Sequence, residues 1–374
     1  MKVLILANSD VGLYKFRREL IKELLSPSSY LDNNPFQNSE VIIACPKGDY
    51  IQELEDDGCT FIETYLERRS KNPIKDLHLV KTYWKIVRNI KPDIVLTYTI
   101  KPNIYGGILC QMLNVPYISN ITGLGSALEN TGVFSRFLIS IYRFGTRKAD
   151  TVFFQNQNNL KSFYKKKIRW NAVLIPGSGV NLEKHVYLSY PDEREPIRFL
   201  YAGRIMRDKG VYEYFKAAEI LKKKYPDLEF TVVGAVEDSS MEPLLKELNT
   251  QGIISYLGYQ DNIPSILAHH HVLVLPSYHE GLSNVLLEAA ASGRPVIASN
   301  IPGCKETFES GITGLSVEPH SYASLVSAME SFIQLGLDEK KAMGLAGREK
   351  VSREFDRKIV IQKYLDAIYK KEVN

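Results

Sequence analysis

Short runs of apolar and β-branched residues recur along the chain at strand length. In the first half they occupy residues 3–7, 41–45, 94–98, 117–121, 151–154 and 172–176; in the second they occupy 199–202, 230–233, 254–257, 272–275 and 295–298. They do not alternate with polar residues, which is the pattern of strands buried on both faces of a parallel sheet. Between them, 13–25, 74–90, 210–224, 241–249 and 283–292 place apolar residues at helical spacing. This alternation predicts an α/β fold built from doubly wound parallel sheets. It stops at N-L-E-K-H-V-Y-L-S-Y-P-D-E-R-E-P-I (181–197), a polar stretch with two prolines. That stretch reads as a linker. The expected organisation is a first domain over 1–185, a second over 186–356, and a C-terminal helix from about 357 to 374 that crosses back onto the first domain. In such sheets ligands bind beyond the carboxyl ends of the strands, so two tandem domains are expected to face each other across a ligand cleft.

Length and composition change this picture little. The chain has 374 residues, enough for two or three domains with ample cores. Its four cysteines, Cys45, Cys59, Cys110 and Cys304, have no paired spacing. That argues against a disulfide framework or a zinc site and fits a reducing compartment. The opening apolar run is too short for a signal peptide, and no run approaches the roughly 18 apolar residues of a membrane span. A cytoplasmic protein is expected. Charge is split unevenly: residues 1–185 hold 25 Lys and Arg against 17 Asp and Glu, whereas 186–374 hold 22 against 26. Either the first half meets an anionic surface or ligand, or the excess is solvated surface charge.

The most informative stretch is E-G-L-S-N-V-L-L-E (280–288), which follows the strand-like V-L-V-L-P-S. A random pair of glutamates reads as solvated charge. Here Glu280 falls on the loop at a strand's carboxyl end, and Ser283 and Asn284 are good residues to open a helix. The first amides of that helix form an anion site. Glu288 lies about a turn further on. Glu280 can then reach the reacting end of a ligand, Glu288 can accept hydrogen bonds from a diol such as ribose, and the helix start can hold the phosphate that joins them. A second strand end, F-L-Y-A-G-R-I-M-R-D-K-G (199–210), carries Arg204 and Lys209, a planar guanidinium and a compact ammonium suited to a diphosphate. The first strand ends in N-S-D-V-G-L-Y (8–14), where Gly12 lets backbone approach phosphates; it lacks the G-x-G-x-x-G of dinucleotide binding.

Together, the Glu280 and Glu288 pair, G-R-P-V-I-A-S, and A-G-R-I-M-R-D-K-G resemble the retaining nucleotide-sugar glycosyltransferases of family 4, which have the GT-B fold of two Rossmann-like domains. The resemblance covers nearly the whole chain and is strongest over 198–318. It implies that Arg204 and Lys209 bind the donor diphosphate, that Glu280 contacts the donor sugar, and that Glu288 holds the ribose. It further implies that the segment Gly281, Leu282, Ser283 and Asn284 offers backbone amides to phosphate or sugar. L-G-Y-Q-D-N (257–262), with Tyr259, matches the segment that takes the base, and the implied base is uridine. P-G-S-G-V-N (176–181) matches the turn before the linker. T-Y-T-I-K-P-N-I-Y-G (97–106) and N-I-T-G-L-G (120–125) resemble a bacterial subgroup that extends sugars on a polyprenyl diphosphate such as undecaprenyl diphosphate, for capsule, O-antigen or glycoprotein glycan. Lys101, Asn103 and Thr122 are the acceptor-side candidates this suggests. Many relatives have a His where this chain has Thr122, so that His's contact with the donor sugar does not carry over.

A diphosphate leaving group asks for charge stabilisation and positioning, which the chain's own cations and amides can supply without a metal. No metal or other cofactor is expected. Front-face attack and a covalent intermediate both remain open for a retaining reaction, as do hexose and N-acetylhexosamine for the sugar. His269, His270 and His271 look like metal ligands, yet consecutive residues point different ways; they are expected to close a helix instead. The basic, aromatic segments 134–148 and 165–170 fit either core-facing helices or a surface resting on anionic lipid. With a lipid-linked acceptor, the second option puts the protein peripherally on the inner face of the cell membrane. No nucleic-acid-binding module is present. Two other readings fit the architecture: a two-lobed sugar-binding protein, and a sugar-nucleotide 2-epimerase that would act with no acceptor.

Overall fold

The computed structural model describes residues 1–27, 39–66, 73–122, 133–164 and 171–372. The chain divides into two compact units, Met1–Ser178 with Val360–Asn374, and Gly179–Ile359. In the first, β1 (Lys2–Leu6), β2 (Glu40–Cys45), β3 (Thr60–Glu63), β4 (Ile94–Tyr98), β5 (Tyr117–Ile121), β6 (Thr151–Phe154) and β7 (Ala172–Leu174) form one sheet in the order β3-β2-β1-β4-β5-β6-β7. Every pairing is parallel. Central β1 shows why its sequence does not alternate. Val3 and Ile5 enter a core with Leu13, Leu20 and Leu24 of the helix Asp10–Leu25, whereas Leu4 and Leu6 enter another with Leu79, Tyr83 and Val87 of the helix Pro73–Ile90. Both faces are covered by helices, so both must be apolar.

The C-terminal helix, Arg357–Glu372, delivers Val360, Tyr364, Leu365 and Ile368 to the first of these cores. Its Tyr364 ring lies 4.5 Å from that of Phe153, and Tyr364 Oη accepts a hydrogen bond from Asn120 Nδ2. This unit therefore needs the end of the chain to close its core.

The second unit holds β8 (Arg198–Ala202), β9 (Glu229–Val233), β10 (Ser255–Tyr256), β11 (Val272–Leu275), β12 (Val296–Ser299) and β13 (Gly314–Val317), in the order β10-β9-β8-β11-β12-β13, again all parallel. The stretch 181–197 is not a free linker but part of this unit. The reason is Arg294 of G-R-P, which is fully buried. Its guanidinium donates to the carbonyls of Leu188 and Ser189, and to those of Leu267 and Ala268. A buried cation demands this many acceptors, and the polar stretch supplies two of them. The Gly179 turn is similarly tied down: Val180 pairs with Asp356, and a Cβ on Gly179 would lie 2.6 Å from Arg357 Cα.

Candidate active site

Because all six strands of the second sheet run parallel, the loops after β8, β9, β11 and β12 gather at one edge. The loop after β8 is shaped by two glycines. Gly210 has φ +68°, and a Cβ there would meet the Pro276 carbonyl at 1.9 Å. Gly234 has φ +147°, and a Cβ there would meet the Gly203 carbonyl at 1.8 Å. Both positions need backbone that only glycine supplies at no cost. Tyr201, buried at the end of β8, holds its hydroxyl within reach of the carbonyls of Arg204 (3.0 Å) and Lys209 (3.4 Å). The Tyr278 amide donates to the Asp208 carbonyl at 2.9 Å, which ties this loop to the one after β11.

The tie brings Lys209 to Glu280. Lys209 Nζ lies 2.6 Å from Glu280 Oε1, and the two side chains are 15% and 12% exposed. Residues expected separately at a diphosphate and a sugar thus neutralise each other. Arg204 is more exposed and pairs with Glu237 at 3.1 Å. The helix Asn284–Ala291 begins where Ser283 and Asn284 were expected to open it, with Ser283 in extended backbone at the cap. Glu288 follows Asn284 at i+4, which puts the two on one helix face; both are half-buried. Asn284 Oδ1 is buried and accepts no hydrogen bond from the described residues.

The amide expectation is corrected in part. Ser283 N–H donates to the Gly303 carbonyl at 2.8 Å, so it is already engaged. Leu282 has its side chain in a small core with Val180 and Leu287, so only its backbone faces the question of a ligand. Tyr259 is 54% exposed and donates to Asp261 Oδ1. In the first unit, Gly12 lies in the first turn of the helix Asp10–Leu25, with open space where a Cβ would stand. Lys101 Nζ pairs with Asp76 Oδ1 at 2.6 Å, beside a pocket of about 620 Å³ at the ends of β2 and β3. Asn103 is a correction. It is fully buried, its Oδ1 accepts from Thr97 Oγ1, and its Nδ2 donates to the Asn120 carbonyl and Tyr142 Oη. Its amide is spent holding the core together and is not available to an acceptor. Thr122 is half-buried at the end of β5; the rest of N-I-T-G-L-G lies outside the described residues.

Sequence reading missed three supports of this edge. Tyr278 Oη donates to buried Glu213 Oε1 at 2.6 Å. His320, at φ +59°, lays its ring 3.6 Å from that of Tyr278. Gly303, at φ +89°, leaves room for the Glu280 carbonyl, 2.5 Å from where its Cβ would stand. Only Gly303 had a signal, as part of a Pro-Gly turn directly after a strand. The histidine run is structural at two of its three positions. His270 is bonded to the Ile266 carbonyl and Thr231 Oγ1, and His271 Nδ1 accepts from the Arg198 amide. Burial lowers the pKa of both, that of His271 to about 4. Of the two basic, aromatic segments, 165–170 lies outside the described residues. In the other, the helix Val133–Thr146 turns Ile139, Ile141 and Tyr142 into the core and buries Arg143, while Phe144 stays exposed.

Two parallel α/β units, one with acids and bases at its strand ends, have the architecture of the GT-B glycosyltransferases. Comparison with known proteins agrees. The family described as Glycosyl transferases group 1 matches residues 189–350, and Glycosyl transferase 4-like matches 3–156. The chain belongs to these glycosyltransferases. It is 27% identical, over 98% of its length and 97% of the relative's, to the N,N'-diacetylbacillosaminyl-diphospho-undecaprenol alpha-1,3-N-acetylgalactosaminyltransferase of Campylobacter jejuni. It is 27% identical, over 79% of its length and 80% of the relative's, to the UDP-Gal:alpha-D-GlcNAc-diphosphoundecaprenol alpha-1,3-galactosyltransferase of Escherichia coli. Among solved structures, Anabaena HepE in complex with UDP and glucose shares the fold, with a TM-score of 0.77 at 17% identity over 99% of each chain.

Proposed function

We propose that this chain is a retaining glycosyltransferase. It moves a hexose or N-acetylhexosamine from a UDP-sugar to a glycan carried on a polyprenyl diphosphate, in the assembly of a surface polysaccharide or glycoprotein glycan. The observation that carries this reading is the likeness, along nearly the full length of both chains, to an undecaprenyl-diphosphate-linked N-acetylgalactosaminyltransferase. In this reading Arg204 and Lys209 oppose the charge that grows on the leaving diphosphate. The amide of Gly281 and the side chain of Asn284 contribute polar contacts, Glu288 accepts from the ribose, and Tyr259 borders the base. Glu280, released from Lys209, meets the donor sugar. Fixed charges aimed at the leaving group need no reorganisation at the moment of transfer, and the reaction needs no metal. The second unit takes the donor. The first unit, with Lys101 and Thr122 on its strand-end side, takes the acceptor, and the protein works at an anionic membrane surface.

The test is to incubate the protein with single UDP-sugars and a polyprenyl-diphosphate-linked saccharide. The lipid-linked product should gain one sugar with the donor's anomeric configuration, and UDP should be released. Conversion of a UDP-sugar to its isomer without acceptor would replace this reading with the epimerase. Binding without any turnover would replace it with the sugar-binding protein.

A further inference from the structure

We propose that the outward stripe of the helix Pro73–Ile90, with the adjoining helix Gly107–Leu113, is the surface that docks this protein on an anionic phospholipid bilayer. The inference rests on the lipid-linked acceptor proposed above, and it centres the contact on a helix outside the two basic, aromatic segments, with only the Phe144 end of 134–148 beside it. Ile74, Leu77, His78, Lys81, Lys85 and Arg88 are all exposed. Their spacing of i, i+3, i+4, i+7, i+11 and i+14 puts them on one side of the helix. The opposite side, Leu79, Tyr83, Ile86 and Val87, is buried on the sheet. No acid lies on the outward stripe. The helix's single carboxylate, Asp76, accepts from Lys101 Nζ and Tyr105 Oη.

The apolar members of this surface are large and wet. Ile74 is 77% exposed, Leu77 56% and Met112 63%. Between the two helices runs a groove of about 500 Å³, lined by Val80, Trp84, Ile108, Leu109 and Met112, with Lys81 and Lys85 on it as well. Past the second helix, Phe144 is exposed under a stacked Arg147 guanidinium, 4.0 Å from its ring centre. Cations interleaved with aliphatic and aromatic pegs suit a surface that is anionic at its headgroups and apolar beneath. The buried face of the helix is committed to the core, so the contact is a shallow docking and not insertion. Among the described residues no helix is long and apolar enough to cross a membrane.

The experiment is vesicle co-sedimentation of the full chain, using phosphatidylcholine alone and phosphatidylcholine mixed with phosphatidylglycerol. Wild type should sediment with the anionic vesicles at low salt, stay in solution with neutral ones, and be released by high salt. The variant Lys81→Gln/Lys85→Gln/Arg88→Gln should partition roughly a hundred-fold less, at about a tenfold loss per 1.4 kcal/mol and about 1 kcal/mol per cation. Leu77→Ser/Met112→Ser should lower what remains bound as salt rises. A control in the other unit, Lys223→Gln/Lys224→Gln/Lys246→Gln, should behave as wild type. All variants should keep the wild-type thermal transition and transfer normally to a short water-soluble acceptor. Unchanged binding by the first variant, or an equal loss in the control, overturns the proposal. Wild type that transfers sugar yet never sediments overturns the docking surface alone. Wild type that sediments but transfers nothing overturns the function and leaves the surface standing.

Discussion

The Lys209–Glu280 pair makes a prediction that runs against intuition: removing the acid should strengthen binding of UDP. Lys209 Nζ lies 2.6 Å from Glu280 Oε1, with both side chains largely buried. If Lys209 serves the donor diphosphate, Glu280 competes with the ligand for it. Coulomb attraction at an effective dielectric near 20 is roughly 4 kcal/mol at 4 Å, and desolvation and side-chain ordering return part of it. A net value of about 2 kcal/mol lies between exposed pairs and tight interfacial ones. Glu280→Gln frees Lys209 and should tighten UDP by up to about thirty-fold, at 1.36 kcal/mol per factor of ten. Lys209→Met should weaken UDP, and in that background Glu280→Gln should do little. On the proposed roles, transfer should fall in both single variants, because each loses a group that serves the sugar or the diphosphate. Calorimetric titration of UDP into wild type, both single variants and the double variant gives the coupling directly. Weaker UDP binding in Glu280→Gln, or equal tightening with and without Lys209, would refute the competition.

Other expectations follow from the same geometry. Glu288→Ala should weaken donor affinity by roughly 1–3 kcal/mol, the cost of an unpaired ribose hydroxyl, read by the same titration in a variant with wild-type circular dichroism. Transfer should survive excess chelator; full loss restored by magnesium or manganese would show that a metal is required. Arg294→Met strands four carbonyl acceptors and should cost the second unit roughly 3–5 kcal/mol, seen as an earlier urea transition without a specific loss of UDP affinity per folded molecule. His271 carries a folded pKa of about 4, below its usual 6.5. The unfolded chain therefore binds the extra proton first, and stability should fall as pH drops from about 6.5 towards 4, by up to roughly 3 kcal/mol. His271→Gln should flatten that slope in a pH series of urea midpoints.

How far the sequence could be read depended on burial. Strands covered on both faces, such as β1, β4 and β11, stand out as apolar runs because nearly every position is buried. Of the four edge strands, β7 and β10 are read as apolar runs, but β3 and β13 are not. β3 has exposed Thr60 and Glu63 at its ends, and β13 buries only its end residues Gly314 and Val317, with Leu315 half-buried and Ser316 exposed between them, so neither reads as a buried run. The stretch 181–197 looked like a linker because its polar backbone has no period; what holds it is Arg294, over a hundred residues away in sequence, and no local pattern announces that contact. Asn103 drew attention as a polar residue in a motif, but its partners come from β4, β5 and a distant tyrosine, which only the fold assembles. Glu280, Lys209 and the Asn284 helix start were legible because strand-end position follows directly from the order of apolar runs. That Lys209 and Glu280 pair was not, since it depends on Gly210 admitting the Pro276 carbonyl.

The measurement that bears most directly on the whole account is mass spectrometry of the lipid-linked product, coupled to UDP release, from a panel of UDP-sugars and a polyprenyl-diphosphate-linked saccharide. The account predicts that one donor yields an acceptor heavier by a single hexose or N-acetylhexosamine, with one UDP released per sugar transferred, and that Lys209→Met and Glu280→Gln lose this activity while staying folded. Release of UDP without sugar on the acceptor, isomerisation of the donor, or full activity in both variants would contradict it.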